Sequence, residues 1–250
     1  MSLTLIGLGL HSENDLSLRT IEETKNSDKA YIEFYTSRWH GNLKNLEKII
    51  GKEITELKRK DLEENSGKII EEAKSKKIVV FIQGDPLIQT THSSLLLEAK
   101  KLGIRTKVIH NSSILSAVGE TGLHVQKFGP YVTIPFPEKT KGKSPESIFE
   151  IIRENKKREL HTLCLLDVIS EENKYMTVNE GLQILLSGEI ITKEDKLVIF
   201  AKAGSDKPLI VYGTADNLIK TNTSDIPAVI IVPGKLHFTE KEYLELVGNE

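Results

Sequence analysis

The chain is nearly free of cysteine: Cys164 is the only one among 250 residues. A single thiol excludes an intrachain disulfide and a thiolate cage around a metal ion. It falls inside the apolar run LHTLCLLDVI (160–169), which points to a buried, inert thiol rather than a nucleophile. Surplus positive charge is also missing. The 34 Lys and Arg residues against 36 Asp and Glu leave a formal net charge of −2, so no bulk field draws the chain to nucleic acid. No apolar run is long enough for a membrane span, and the opening MSLTLIGLGLHSEND carries no basic leader. A cytoplasmic protein without membrane attachment is the expectation.

Several chemical signatures are absent as well. The seven histidines show no HxxxH spacing, and no metal site is expected. There is no G-x-S-x-G elbow and no phosphate-binding loop, which removes the common hydrolase and nucleotide triphosphatase readings.

What remains is a length and composition suited to a sizeable core: 38% hydrophobic and 28% charged residues. Short apolar runs at 3–8, 30–35, 53–57, 78–82, 106–110 and 132–135 read as strands, and segments with helix signals lie between most of them. Asp61 and Glu64 have capping-box spacing ahead of Ile69, Ile70 and Ala73. HSSLLLEAKKLG places Leu95, Leu96, Ala99 and Leu102 on one face and stops at Gly103, while SSILSAVGETG closes on Gly122. Further strands are expected at 162–169, 197–203, 209–213 and 228–232, with helices opened by Thr177…Glu180 and Thr239…Glu242. Ser144-Pro145 reads as another helix start.

The fold class is therefore α/β, with two domains: 1–137 with a mainly parallel sheet, and 145–250 with a mixed sheet. The stretch PFPEKTKGKSPES (135–147) concentrates proline, lysine, glycine and serine, and the linker is read within it at about 138–144.

Open parallel sheets bind ligands beyond the carboxyl ends of their strands. Those ends carry Gly7-Leu8-Gly9-Leu10, Gly84-Asp85-Pro86-Leu87-Ile88, Asn111-Ser112-Ser113-Ile114, Leu166-Asp167, Ala201-Lys202-Ala203-Gly204 and Pro233-Gly234. They are small, polar or glycine-rich, which suggests an interdomain cleft floored by backbone. Gly7-x-Gly9 opens a dinucleotide fingerprint, but Ser12 stands where its third glycine belongs; Glu33 would serve as the ribose acid in that reading. In Gly84-Asp85-Pro86 the glycine admits a close ligand, the carboxylate accepts from an ammonium or hydroxyl, and the ring fixes the loop; a plain Asx turn is the alternative. Ser113 either caps its helix or donates to a carboxylate at the helix N-terminus. His92 and His110 lie near the same ends and read as structural.

The ordered set IGLGL, EFYTS, GDPLIQTTHSSL, VIHNSSILSAVGETGLHVQKFG, LHTLCLLD, MTVNEGLQILL and IIVPGKLH resembles the diphthine synthases along nearly the whole chain. The resemblance implies a fold of the tetrapyrrole methylase type and S-adenosylmethionine as cofactor. It implies methylation of the amino group of a modified histidine on translation elongation factor 2, and a homodimer. Carried over by motif, donor contacts fall on Leu10, Asp85, Ile88, Ser113, Ile114, Leu166, Ala203 and Ala228. No catalytic residue is singled out, because the sulfonium already activates the methyl group. Gln83 stands where proline is frequent in that family, and 139–144 is unusually lysine-rich. A methyltransferase of the same fold acting on a tetrapyrrole, or a silent module that binds the elongation factor, are the alternatives.

Overall fold

A computed structural model describes residues 1–143, 145–221 and 226–247. It divides the chain into two compact units, Met1–Ile114 and Leu115–Glu250.

The first unit alternates β1 (Ser2–Gly7), α1 (Leu18–Lys25), β2 (Lys29–Glu33), α2 (Leu43–Ile50), β3 (Ile54–Leu57), α3 (Arg59–Glu63), α4 (Gly67–Ala73), β4 (Lys77–Ile82), α5 (Ser93–Lys101) and β5 (Arg105–Ile109). The strands form one sheet in the order β3-β2-β4-β1-β5, and every pairing is parallel. β4 explains why both faces are covered. Its residues Ile78 to Ile82 are all buried, with Ile78, Val80 and Ile82 packing beside Leu62, Ile69, Ile70, Leu95 and Ala99 of α3, α4 and α5. Val79 and Phe81 point the other way, toward Leu46 and Ile50 of α2. Each such side chain contributes roughly 1.5–3 kcal/mol on burial, and period-two geometry sends alternate residues to opposite faces.

After α6 (Ile114–Ala117), the second unit contains β6 (Val132–Ile134), α7 (Glu146–Lys157), β7 (Thr162–Leu166), β8 (Val168–Ile169), β9 (Lys174–Tyr175), α8 (Val178–Ser187), β10 (Lys196–Ala201), β11 (Leu209–Thr214), α9 (Ala215–Thr221), β12 (Ala228–Val232) and α10 (Phe238–Val247). Its sheet runs β11-β10-β12-β7-β6. Only β6–β7 is parallel; the other three pairings are antiparallel. Phe149 and Ile152 of α7, Leu182 and Leu185 of α8 and Leu218 of α9 share one core with Cys164, Ile199 and Ile230.

The division between units differs from the expected linker. β6 pairs with β7, so residues 132–134 belong to the second sheet. The Lys- and Pro-rich stretch is tied down as a 3₁₀ turn, Pro137–Thr140. Asp167 holds it there, accepting from the Phe136 N–H at 2.9 Å and Lys139 Nζ at 2.7 Å. Composition marked a surface segment and not a domain boundary.

Two helix starts also differ. Asp61 is not the N-cap but the third residue of α3, and its carboxylate reaches back to the Lys58 N–H at 2.9 Å. Likewise α10 begins at Phe238, and Glu240 rather than Glu242 reaches back, to the His237 N–H at 2.6 Å. The Thr177–Glu180 box is as expected, and so are the left-handed stops at Gly103 and Gly122. The serine of Ser144-Pro145 lies outside the described residues. The run 162–169 splits at Asp167 into β7 and β8.

Candidate active site

In the first unit the loops after β1, β4 and β5 meet, because these strands are adjacent in the order β4-β1-β5. Gly9 and Gly84 exchange backbone hydrogen bonds, 3.0 Å from Gly84 N to Gly9 O and 3.2 Å in return. Asn111 fastens the third loop, donating from Nδ2 to the carbonyls of Gly7 (3.1 Å) and Asp15 (3.0 Å). The approach at Gly7 is so close that a Cβ there would lie 2.5 Å from the Gly84 carbonyl oxygen. Gly84 itself needs its missing side chain for conformation, with φ +69, and not for crowding. A Cβ there would meet nothing nearer than 3.9 Å, where Ser112 and Ser113 stand. Leu10, Asp85, Ile88 and Ser113 thus lie on these three loops and Ile114 opens the helix behind the third, with Asp85 and Ser113 buried and the other three partly buried.

Gln83, singled out in the sequence only for what it replaces, locks this arrangement. Its Nε2 donates to the carbonyls of Gly9 at 3.1 Å and Leu10 at 3.2 Å. Where a proline would stiffen the chain through its ring, this glutamine ties two loops 73 residues apart in sequence.

Asp85 makes the Asx turn that the sequence offered as one of its two readings, and it also bridges two loops. Its Oδ1 accepts from the Leu87 N–H at 3.0 Å, the Asx turn. Its Oδ2 lies 2.8 Å from His110 Nδ1 and accepts from the Asn111 N–H at 3.3 Å. The carboxylate therefore bridges the β4 and β5 loops, with acceptor capacity left over on Oδ1.

The dinucleotide reading does not survive. The segment after Gly9 forms a 3₁₀ turn, Glu13–Asp15, instead of a helix starting directly behind the strand. Glu33 is fully buried, and its carboxylate accepts from the N–H groups of Tyr35 (2.9 Å) and Thr36 (3.1 Å) and the Thr36 hydroxyl. Burial raises its pKa, against the pull of those hydrogen bonds. It closes its own turn. The helix behind Ser113 is also a single turn of α, Ile114–Ala117, so a dipole-based anion site is not available there.

Beside these loops Tyr35 and His92 are buried and joined, hydroxyl to Nε2, at 3.0 Å. His92 is structural, as expected. His11 and His40 stack with ring centroids 5.0 Å apart.

In the second unit the antiparallel pairings decide which strand ends share an edge. Ala201 of β10 pairs with Ala228 of β12, and Val229 pairs with Leu165 of β7. The carboxyl ends of β7 and β10 therefore lie beside the amino end of β12. Leu166, Ala203 and Ala228 gather at that edge, Ala203 and Ala228 buried and Leu166 partly so. Pro233-Gly234, counted with the other strand ends in the sequence, belongs to the opposite edge. The rule for parallel sheets does not extend to β12.

That opposite edge holds a polar cluster the sequence did not reveal. Glu240 is fully buried and accepts from Lys127 Nζ at 2.7 Å, the His124 N–H at 2.8 Å and the His237 N–H at 2.6 Å. Gly234 N–H donates to His161 Nδ1 at 2.9 Å, which leaves the proton on Nε2 to face Glu240 at 3.1 Å. Burial disfavours the Glu240 charge, but Lys127 and these donors outweigh it and hold the pKa at about 2. Cys164 is inert: burial pushes its thiol up to about 12.

Residues 2–219 match the family Tetrapyrrole (Corrin/Porphyrin) Methylases. The chain is 46% identical to the diphthine synthase of Methanocaldococcus jannaschii, covering 97% of each sequence. It is 42% identical to that of Methanococcus aeolicus, covering 97% of this chain and 96% of that one. A crystal structure of diphthine synthase superposes with a TM-score of 0.91 at 35% identity, covering 100% of this chain and 96% of the other. Sequence match and superposition agree: the chain is a methyltransferase that belongs to the tetrapyrrole methylase family, among the diphthine synthases.

Proposed function

We propose that the chain uses S-adenosylmethionine to methylate the amino group of the 3-amino-3-carboxypropyl-histidine on translation elongation factor 2, giving diphthine. We further propose that it acts in the cytoplasm as a homodimer. The observation that carries this reading is the junction of the Leu10, Gly84-Asp85 and Ser113 loops, held close by Gly7 and Gln83, in a chain of the methylase family. Leu10, Asp85, Ile88, Ser113 and Ile114 would contact the donor from the first unit, and Leu166, Ala203 and Ala228 from the second.

The residues present fit such a ligand. Gly84 leaves its main chain uncovered on the Ser113 side, and Gln83 Oε1 is a buried acceptor with no partner among the described residues. When bound, the donor supplies a sulfonium methyl, which the neutral amine attacks as the carbon–sulfur bond breaks and the electron pair stays on sulfur. The protein's part is alignment. Backbone groups held by the Gly9–Gly84 exchange and by Asn111 are fixed before any ligand arrives, so no reorganisation is needed at the moment of reaction. Asp85 Oδ1 retains a lone pair for an ammonium or hydroxyl.

Mass spectrometry on elongation factor 2 carrying the aminocarboxypropyl group, incubated with enzyme and donor, tests the reading. Successive methylene-mass increments on that histidine are the expected result. An unmodified histidine beside a methylated tetrapyrrole precursor would replace the protein acceptor with a small molecule.

A further inference from the structure

Gln83 is nine-tenths buried, and the two ends of its amide are in opposite situations. Nε2 has two carbonyl acceptors, Gly9 O and Leu10 O, at 3.1 and 3.2 Å. That pair fixes the amide orientation, since a flipped amide would set oxygen against two carbonyl oxygens. Oε1 is consequently the end that faces away from those two carbonyls; it is buried and has no hydrogen-bond partner among the described residues. A buried acceptor left in that state is disfavoured by roughly 1–3 kcal/mol, so such atoms are normally met by a ligand or an ordered water. Its surroundings favour a ligand. Gln83 touches Leu10 directly, and the next two residues are Gly84 and Asp85. Asp85, by contrast, already accepts from the Leu87 and Asn111 N–H groups and faces His110.

We infer that Gln83 is a ligand contact as well as a clamp: Oε1 accepts a hydrogen bond from an N–H or O–H group of the methyl donor. This rests on the donor reading proposed above. Two parts of one ligand could supply that hydrogen, the ammonium of the amino-acid end or a hydroxyl of the ribose. Both share the required chemistry.

Titration calorimetry of the full-length wild type and of Gln83→Met separates these cases. Methionine keeps the length and bulk of the side chain but can neither clamp nor accept. The ligands are S-adenosylhomocysteine, methylthioadenosine (which lacks the amino-acid end) and the 2′- and 3′-deoxy forms of S-adenosylhomocysteine. Losing the clamp alone weakens every ligand by the same factor, so the difference between ligands isolates the contact. The inference expects Gln83→Met to bind S-adenosylhomocysteine roughly tenfold more weakly, while one truncated ligand is unaffected beyond the common factor. An unaffected methylthioadenosine assigns the ammonium; an unaffected deoxy form assigns that hydroxyl. Equal losses for all ligands, or no loss, overturn the contact and leave a water on Oε1. A wild-type protein that binds none of the four overturns the donor reading and the contact with it.

Discussion

The hydroxyl of Tyr35 and Nε2 of His92 lie 3.0 Å apart inside the first unit, joining the end of β2 to the segment that leads into α5. Burial drives both groups toward their neutral forms. It raises Tyr35 above its ordinary value, and lowers His92 to about 4 although the Pro86 carbonyl pulls the other way.

This pair makes the fold acid-sensitive. The unfolded chain takes up a proton on His92 near its ordinary value of 6.5, whereas the folded chain resists until about 4. Between those limits the unfolded state binds more protons, so stability falls as pH falls, by roughly 3 kcal/mol for a shift of this size. Urea unfolding of wild type and His92→Gln across that window is the check. The wild type should lose more stability than the variant, and parallel curves would remove His92 as the cause.

Lys127 and Glu240 make a second, more acid-resistant pair at the far edge of the second sheet. With the folded pKa of Glu240 at about 2 against an ordinary value of 4.5, its contribution is complete above 4.5 and is lost as pH falls toward 2. Lys127→Met removes the one cationic partner that approaches Glu240 within 3 Å among the described residues, while the buried carboxylate keeps its backbone donors. Breaking a buried pair from one side costs about 3–5 kcal/mol, and the remaining donors put the expectation near the lower figure. Chemical denaturation at neutral pH measures it. A variant as stable as wild type would show that the N–H groups of His124 and His237 suffice.

Much of the frame was legible because buried parallel strands read as unbroken apolar runs: Ile78 to Ile82 could hardly be anything else. Helix starts were less legible. A capping box is written by two residues, and Asp61 belonged to a box opened by Lys58, a residue without a capping side chain. The domain division was hidden because β6 carries only three residues and its partner β7 lies beyond α7. At the site, the loop residues were readable from strand ends, whereas the roles of Gln83, Asn111 and His110 depend on which loops become neighbours. Gln83 meets Leu10 across 73 residues, and Asn111 meets Gly7 across 104. No local pattern encodes such distances. Glu240 escaped notice because one charged residue on an amphipathic helix reads as solvated, and only the fold brings His124, Lys127 and His161 to it.

Asp85 gives a third prediction. Asp85→Ala removes the acceptor for the Leu87 and Asn111 N–H groups and the partner of His110. All three lie at the loop surface beyond the sheet, so the core of β1, β4 and β5 should persist, with an unchanged far-ultraviolet circular dichroism spectrum. Donor affinity should fall by about 1–3 kcal/mol, since both the spare lone pair on Oδ1 and the bridge between loops are gone. Calorimetry with S-adenosylhomocysteine reads the loss, and wild-type affinity in the variant would take Asp85 out of the site.

The close approach at Gly7 yields the sharpest contrast. A methyl group there would sit 2.5 Å from the Gly84 carbonyl oxygen and 2.8 Å from Asn111 Cβ, inside contact distance of a backbone atom that cannot rotate away. Relief requires either the β4 loop to move, which opens the Gly9–Gly84 exchange, or the β5 loop to move, which loosens the Asn111 bonds to Gly7 and Asp15. Gly7→Ala should therefore lower the melting temperature and abolish measurable donor binding together. Gly67 is the control: it lies in α4 with nothing within 4 Å of an added Cβ. Alanine at that helical position should be neutral or stabilising by up to about 1 kcal/mol, with donor affinity untouched. If Gly7→Ala bound S-adenosylhomocysteine as the wild type does, the three loops would not need this contact to form the site, and the glycine would be no more than a turn residue.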